Sequence, residues 1–143
     1  MRITKVTTKT GDGGKTSLGN GQRVHKNHPI INTLGELDYL NSIIGWAEVE
    51  SANESYSCEL KNIQQDIFNI SGDLSLPNSD VSVLKEERII HLEKMIKSMN
   101  EKLPPLEEFI LPGGSELNAR LHIARTTCRN SERSLVSLHL EHD

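Results

Sequence analysis

Four segments of this chain repeat a packing residue at steps of three and four, and that rhythm leaves little choice of fold. Leu60, Ile63, Ile67, Ile70 and Leu74 make one uninterrupted stripe, and Ile89, Leu92, Ile96, Met99 and Leu103 repeat it. Ile30, Leu34, Leu37 and Ile44 keep a looser version with Asn41 at the polar slot, and Leu117, Leu121, Ala124, Cys128, Ser131, Leu135 and Leu138 complete the set. A helix advances about 100° per residue, so each series is one face that has to be covered. Breaks at Ala52 to Tyr56, Pro77 to Asp80 and Pro104 to Gly114 separate the four. The pattern predicts an all-α, up-and-down helical bundle with four helices. Two Phe, two Tyr and one Trp are too few to fill it, so the core is expected to be aliphatic.

Residues 1 to about 28 hold half of the ten glycines and no helical period, which predicts an extended Gly-rich segment ahead of a helix opening at Pro29. Ser115, after Pro112-Gly113-Gly114, is the expected N-cap of the last helix. No interior stretch is long enough to divide 143 residues, so one domain spanning 1–143 is expected.

Charge narrows the function classes. A net charge of -4 argues against a general nucleic-acid binder, which needs an excess of Lys and Arg. No apolar run reaches the ~20 residues that cross a bilayer, and the first residues lack a signal-peptide core, so neither membrane nor export is indicated. Cys58 and Cys128 lie 70 positions apart with no CxxC pair, and the histidines are scattered. Neither a disulfide framework nor a bound metal site is predicted, and a reducing cytoplasm fits.

Against that acidic background the last helix carries Arg125, Arg129, Glu132 and Arg133 on one side. Relative to Arg125, Arg129 lies about 40° round, Glu132 about 20° the other way and Arg133 about 80°. Guanidinium groups fixed on a packed helix match phosphate oxygens, although a solvated face with intrahelical pairs has the same pattern. The N-terminal loop, Thr8-Lys9-Thr10-Gly11-Asp12-Gly13-Gly14-Lys15-Thr16-Ser17, has the glycines, hydroxyls and lysines of an anion cradle, and a flexible surface loop is its alternative. Gly14-Lys15-Thr16 is not a Walker A loop, because Lys9 stands where that pattern needs its first glycine. Phe109, before Leu111-Pro112-Gly113-Gly114, is expected to plug one end of the bundle.

Taken in order, TKTGDxGxT from Thr8, RVxK from Arg23 to Lys26, GxxDxLN from Gly35, FILPGG from Phe109 and HxARTxCRxxER from His122 resemble the PduO-type ATP:cob(I)alamin adenosyltransferases. The similarity covers nearly the whole chain, including Gln64-Gln65-Asp66-Ile67-Phe68 and Gly72-Asp73-Leu74. It implies transfer of the 5′-deoxyadenosyl group of ATP to cob(I)alamin, giving adenosylcobalamin and triphosphate, with Mg2+ accompanying ATP. By that likeness Thr8, Lys9, Thr10 and Gly11 line the nucleotide, Thr16, Ser17 and Lys26 hold its phosphates, and Arg129, Asn130, Ser131, Glu132 and Arg133 face them.

The same resemblance implies Arg129 as the leading catalytic residue, Arg125 paired with Asp38 across a subunit boundary, and Phe109 as an aromatic that displaces cobalamin's lower ligand. It implies a homotrimer with ATP at each interface, an external flavoprotein reductase and an adenosylcobalamin-dependent enzyme as client. Two positions depart from the family pattern: Asn130 replaces an arginine and Tyr39 a glutamate. The family bundle has a fifth helix with an asparagine that contacts the nucleotide, whereas this sequence stops at Asp143. A catalytically impaired ATP- or corrinoid-binding homologue is therefore the alternative expectation.

Overall fold

The computed structural model describes residues 7–52, 54–77 and 84–140. Among these, two short strands, β1 (Lys15–Ser17) and β2 (Arg23–His25), precede four helices, α1 (Pro29–Glu50), α2 (Ser57–Ser75), α3 (Glu86–Asn100) and α4 (Glu116–Leu140). The strands pair antiparallel with Thr16 opposite Val24. This hairpin is additional to the expected extended segment. Gly21, at φ 84°, forms its turn, where the amide of Gln22 donates to Asn20 Oδ1 at 2.9 Å.

The hairpin is fastened to the helices by burial and by one close approach. Leu18 and Val24 pack with Ile30 of α1 and Leu138 of α4. The amide of Gly19 donates to the carbonyl of Ser75 at 2.8 Å, at the end of α2. A Cβ on Gly19 would stand 3.0 Å from Leu76 Cδ2 and Ser75 Oγ, so only glycine fits without displacement.

Pro29 opens α1, where the missing amide proton is no loss, and His28 Nδ1 accepts from the Ile30 amide as its cap. The helix lies between α2 and α4. Leu37, Leu40, Ile44 and Ile67 are buried, with Leu60, Ile63, Ile70, Ala124 and Leu135 packed around them, so the aliphatic core is as expected. Each such burial stabilises by about 1.5–3 kcal/mol. At the α1–α2 corner Ser57 Oγ donates to Glu48 at 2.9 Å and Lys61 pairs with the same carboxylate at 3.1 Å. Those two bonds hold the Glu48 carboxyl below its ordinary pKa.

Helix α4 begins at its expected cap, with Ser115 Oγ accepting from the Asn118 amide at 3.1 Å. Arg120 then ties it to the end of α1. Its guanidinium donates to the Trp46 carbonyl at 2.7 Å, lies 4.6 Å from the Trp46 ring centre and bonds Glu116 at 2.8 Å.

Two packing expectations need correction. In α4 the buried position is Thr127, whereas Cys128 is exposed. The seam runs through 124, 127, 131 and 138, a 3-4-7 phase that admits two hydroxyl residues. In α3 the stripe is not covered by the described residues: Ile89 and Ile96 are exposed and no residue of the helix is fully buried. Polar bonds hold α3 to α2 instead. Arg88 reaches Asp66 at 2.7 Å and Glu59 at 2.6 Å, and His91 Nε2 meets Glu59 at 3.0 Å.

Candidate active site

The glycine loop is a folded object. The Lys9 backbone takes φ 59°, a left-handed conformation uncommon outside glycine, and Gly14 takes φ 76°. The amide of Gly14 returns to the Gly11 carbonyl at 3.1 Å, and the amide of Lys26 to the Gly14 carbonyl at 3.0 Å. Thr8 and Thr10 share a hydroxyl hydrogen bond of 2.9 Å. The Lys26 ammonium lies across Gly11, where a Cβ would come within 3.2 Å of Nζ. Thr8, Lys9, Thr10 and Gly11 thus lie on one short segment that continues into Thr16 and Ser17 on β1, and Lys26, just after β2, reaches back to it.

The arginine stripe lies on the side of α4 turned away from α1. Arg125, Arg129, Glu132 and Arg133 are all exposed. Arg129 pairs with Glu132 one turn on, and the Arg129 side chain is still 64% exposed. Such an intrahelical pair is worth about 0.2–0.5 kcal/mol, small enough for a phosphate to displace it. Arg133 donates to Asn130 Oδ1, and both line a shallow cleft of about 290 Å³ with Glu36, Ser134 and Ser137.

Ser131, one of the residues expected to face the nucleotide, lies in the α1–α4 seam. Its side chain is 1% exposed, and its hydroxyl is bonded to the carbonyls of Glu36 at 3.1 Å and Thr127 at 3.2 Å. The seam toward α1 claims that side chain, because position 131 lies about 120° around the helix from Arg125 and about 160° from Arg129. Phe109 corrects the expected bundle plug. It is fully exposed, as is nearly all of Leu111, so it does not plug the bundle.

Among the described residues no bond joins the glycine loop to Arg125, Arg129 or Arg133 within the chain, and Asp38 and Arg125, both exposed, do not pair. Sequence reasoning placed Arg23 in the RVxK motif but gave it no role; its fork bonds the loop from β2, mostly through backbone acceptors that leave no side-chain signature. It also missed the left-handed Lys9.

The cobalamin adenosyltransferase family profile matches residues 6–143. This chain belongs to the cobalamin adenosyltransferase family. It is 44% identical over 138 residues to a cobalamin adenosyltransferase of Cupriavidus metallidurans, covering 96% of this chain and 74% of that protein. It is 40% identical to the corrinoid adenosyltransferase PduO of Citrobacter freundii, covering 95% of this chain but 42% of that longer protein. In fold it resembles a variant of the PduO-type ATP:corrinoid adenosyltransferase from Lactobacillus reuteri complexed with cobalamin and ATP, with TM-score 0.89 and 37% identity over 96% of this chain and 79% of that one. A second variant of that enzyme, complexed with ATP, gives TM-score 0.87 at 37% identity, over 95% of this chain and 79% of that one. The helical fold of the family is the one described above, and no helix among the described residues is long and apolar enough to cross a membrane.

Proposed function

We propose that this chain transfers the 5′-deoxyadenosyl group of ATP to cob(I)alamin, forming adenosylcobalamin and releasing triphosphate. The observation that carries the reading is the shared fold, at 37% identity, with an enzyme complexed with both cobalamin and ATP. An exposed arginine face and an ordered glycine loop on this chain support it.

In the reaction the electron pair of cobalt(I) forms the bond to C5′ as the C5′–O bond breaks, and the negative charge passes to triphosphate. Cobalt(I) is itself a strong nucleophile, so no general base is needed. The work left to the protein is to align the reactants, keep water out and stabilise the departing charge. Arg129 and Lys26 supply fixed positive charge, with Mg2+ arriving on ATP, and Arg125 and Arg133 extend the same surface.

No bond among the described residues joins the glycine loop to the arginine face within one chain, which is compatible with an ATP site assembled between subunits. In that arrangement the loop of one copy faces the arginine helix of the next, Asp38 pairs with Arg125 across the boundary, and three copies close a ring. Phe109, free of contacts with the rest of the chain's core, is the aromatic offered to the corrin face. The cobalt is reduced by an external flavoprotein in the cytoplasm, and the product passes to an adenosylcobalamin-dependent enzyme. Anaerobic incubation with MgATP and cob(I)alamin is expected to give the adenosylcobalamin spectrum, and sedimentation a trimer. ATP binding without product would leave a nucleotide-binding homologue instead.

A further inference from the structure

Arg23 stands on β2 opposite Ser17. Its Nη2 donates to the carbonyl of Thr10 at 2.8 Å and to that of Lys15 at 3.3 Å, while Nη1 donates to Ser17 Oγ at 3.3 Å. The three acceptors lie before, at the end of and just beyond the glycine turn, so one planar guanidinium staples the loop across its neck. Neighbouring amides complete the work. Asp12 donates to the Lys9 carbonyl, Gly14 to that of Gly11 and Lys26 to that of Gly14.

The carbonyls of residues 9, 10, 11, 14 and 15 are thereby all directed into the loop's own hydrogen bonds. Each carbonyl oxygen carries partial negative charge and would repel a polyphosphate; occupying these oxygens inside the loop removes that repulsion and leaves the Lys26 ammonium, beside Gly11, and the amides not used in these bonds to meet the anion. We infer that Arg23 is the positioning residue of the triphosphate site, holding the loop in its anion-accepting form while its own donors are occupied by the loop. The inference rests on the nucleotide reading above. A lysine would keep the charge but present a point charge on a flexible stem in place of the fork.

The experiment compares wild type, Arg23→Lys and Lys26→Gln by hydrogen exchange without ATP and by steady-state kinetics. In Arg23→Lys, amides of residues 8–17 are expected to exchange about tenfold faster while those of α1 and α4 are unchanged, and the KM for ATP to rise about tenfold with kcat within about threefold. Lys26→Gln is expected to raise the KM with the loop still protected, which separates lost order from lost charge. Wild-type loop exchange in Arg23→Lys would overturn the positioning role, and so would a loosened loop with an unchanged KM. A wild-type chain that binds no ATP would overturn the functional reading instead, while the exchange comparison still reports on Arg23.

Discussion

The Ser131 hydroxyl bonds the Glu36 carbonyl at 3.1 Å across the α1–α4 seam, and this sets the rotation of α4. With 131 locked inward, Arg125 and Arg129 are carried to the far side of the helix. Ser131→Ala is expected to destabilise the fold by about 1 kcal/mol, from loss of one buried hydrogen bond, and to leave the KM for ATP unchanged. Ser131→Leu, which overfills the seam, is expected to lose about 1–3 kcal/mol. Urea unfolding and ATP kinetics on the two variants check this; a raised KM in Ser131→Ala would return the hydroxyl to the nucleotide set.

Gly19 makes the hairpin depend on the end of α2. A methyl there meets Ser75 backbone oxygen at 3.1 Å as well as two side-chain atoms at 3.0 Å, and the backbone cannot move without breaking the Gly19 to Ser75 bond. Gly19→Ala is expected to lower stability by about 1–3 kcal/mol and to speed amide exchange in residues 15–25 before it affects α1. Equal exchange in both regions would show that the hairpin and helices unfold as one unit.

Arg88 does for α3 what apolar burial does for the other helices. Arg88→Met keeps the stem but leaves Glu59 and Asp66 without their shared cation, and is expected to expose α3 amides while α1 stays protected. Acid should act on the same contact. Burial tends to raise the Glu59 pKa, but hydrogen bonds from Arg88, Asn62 and His91 outweigh it and leave the carboxyl below its usual 4.5. A lowered folded pKa contributes stability that is present above the unfolded value and is lost as pH falls through the folded one. Protection of α3 is therefore expected to hold at pH 5 to 7, on the order of the neutral range, and to fall below about 4.5.

The helices were legible because their faces are apolar at fixed spacing, and the resemblance placed the site segments in order. What the spacing could not decide was cover. The Ile89 to Leu103 stripe states that α3 is amphipathic, but not whether anything lies against it. In α4 the choice between Thr127 and Cys128 turned on polarity, and the chain uses the hydroxyl residue at the tighter seam. The hairpin escaped notice because its strands are three residues each and depend on Leu18, Val24 and the backbone of Ser75, contacts with no local period. Phe109 read as a plug because an aromatic beside a helix break is usually buried; here the loop carries it outward.

Arg129 carries the most specific expectation for catalysis. It is exposed and, among the described residues, tied only to Glu132 on its own helix, so its removal takes away charge without opening the core. Charge grows on triphosphate as the C5′–O bond breaks, so a guanidinium aimed there is worth more in the transition state than in the ground state. Arg129→Ala is expected to lower kcat by about 100-fold or more with a smaller change in the KM for ATP, and to leave the melting temperature within about 2 °C. Arg129→Lys should recover part of kcat, because charge is retained and the bidentate fork is lost. A matched loss in the neighbouring Glu132→Gln would attribute the effect to the pair. An Arg129→Ala chain with wild-type kcat would remove this face of α4 from the reaction.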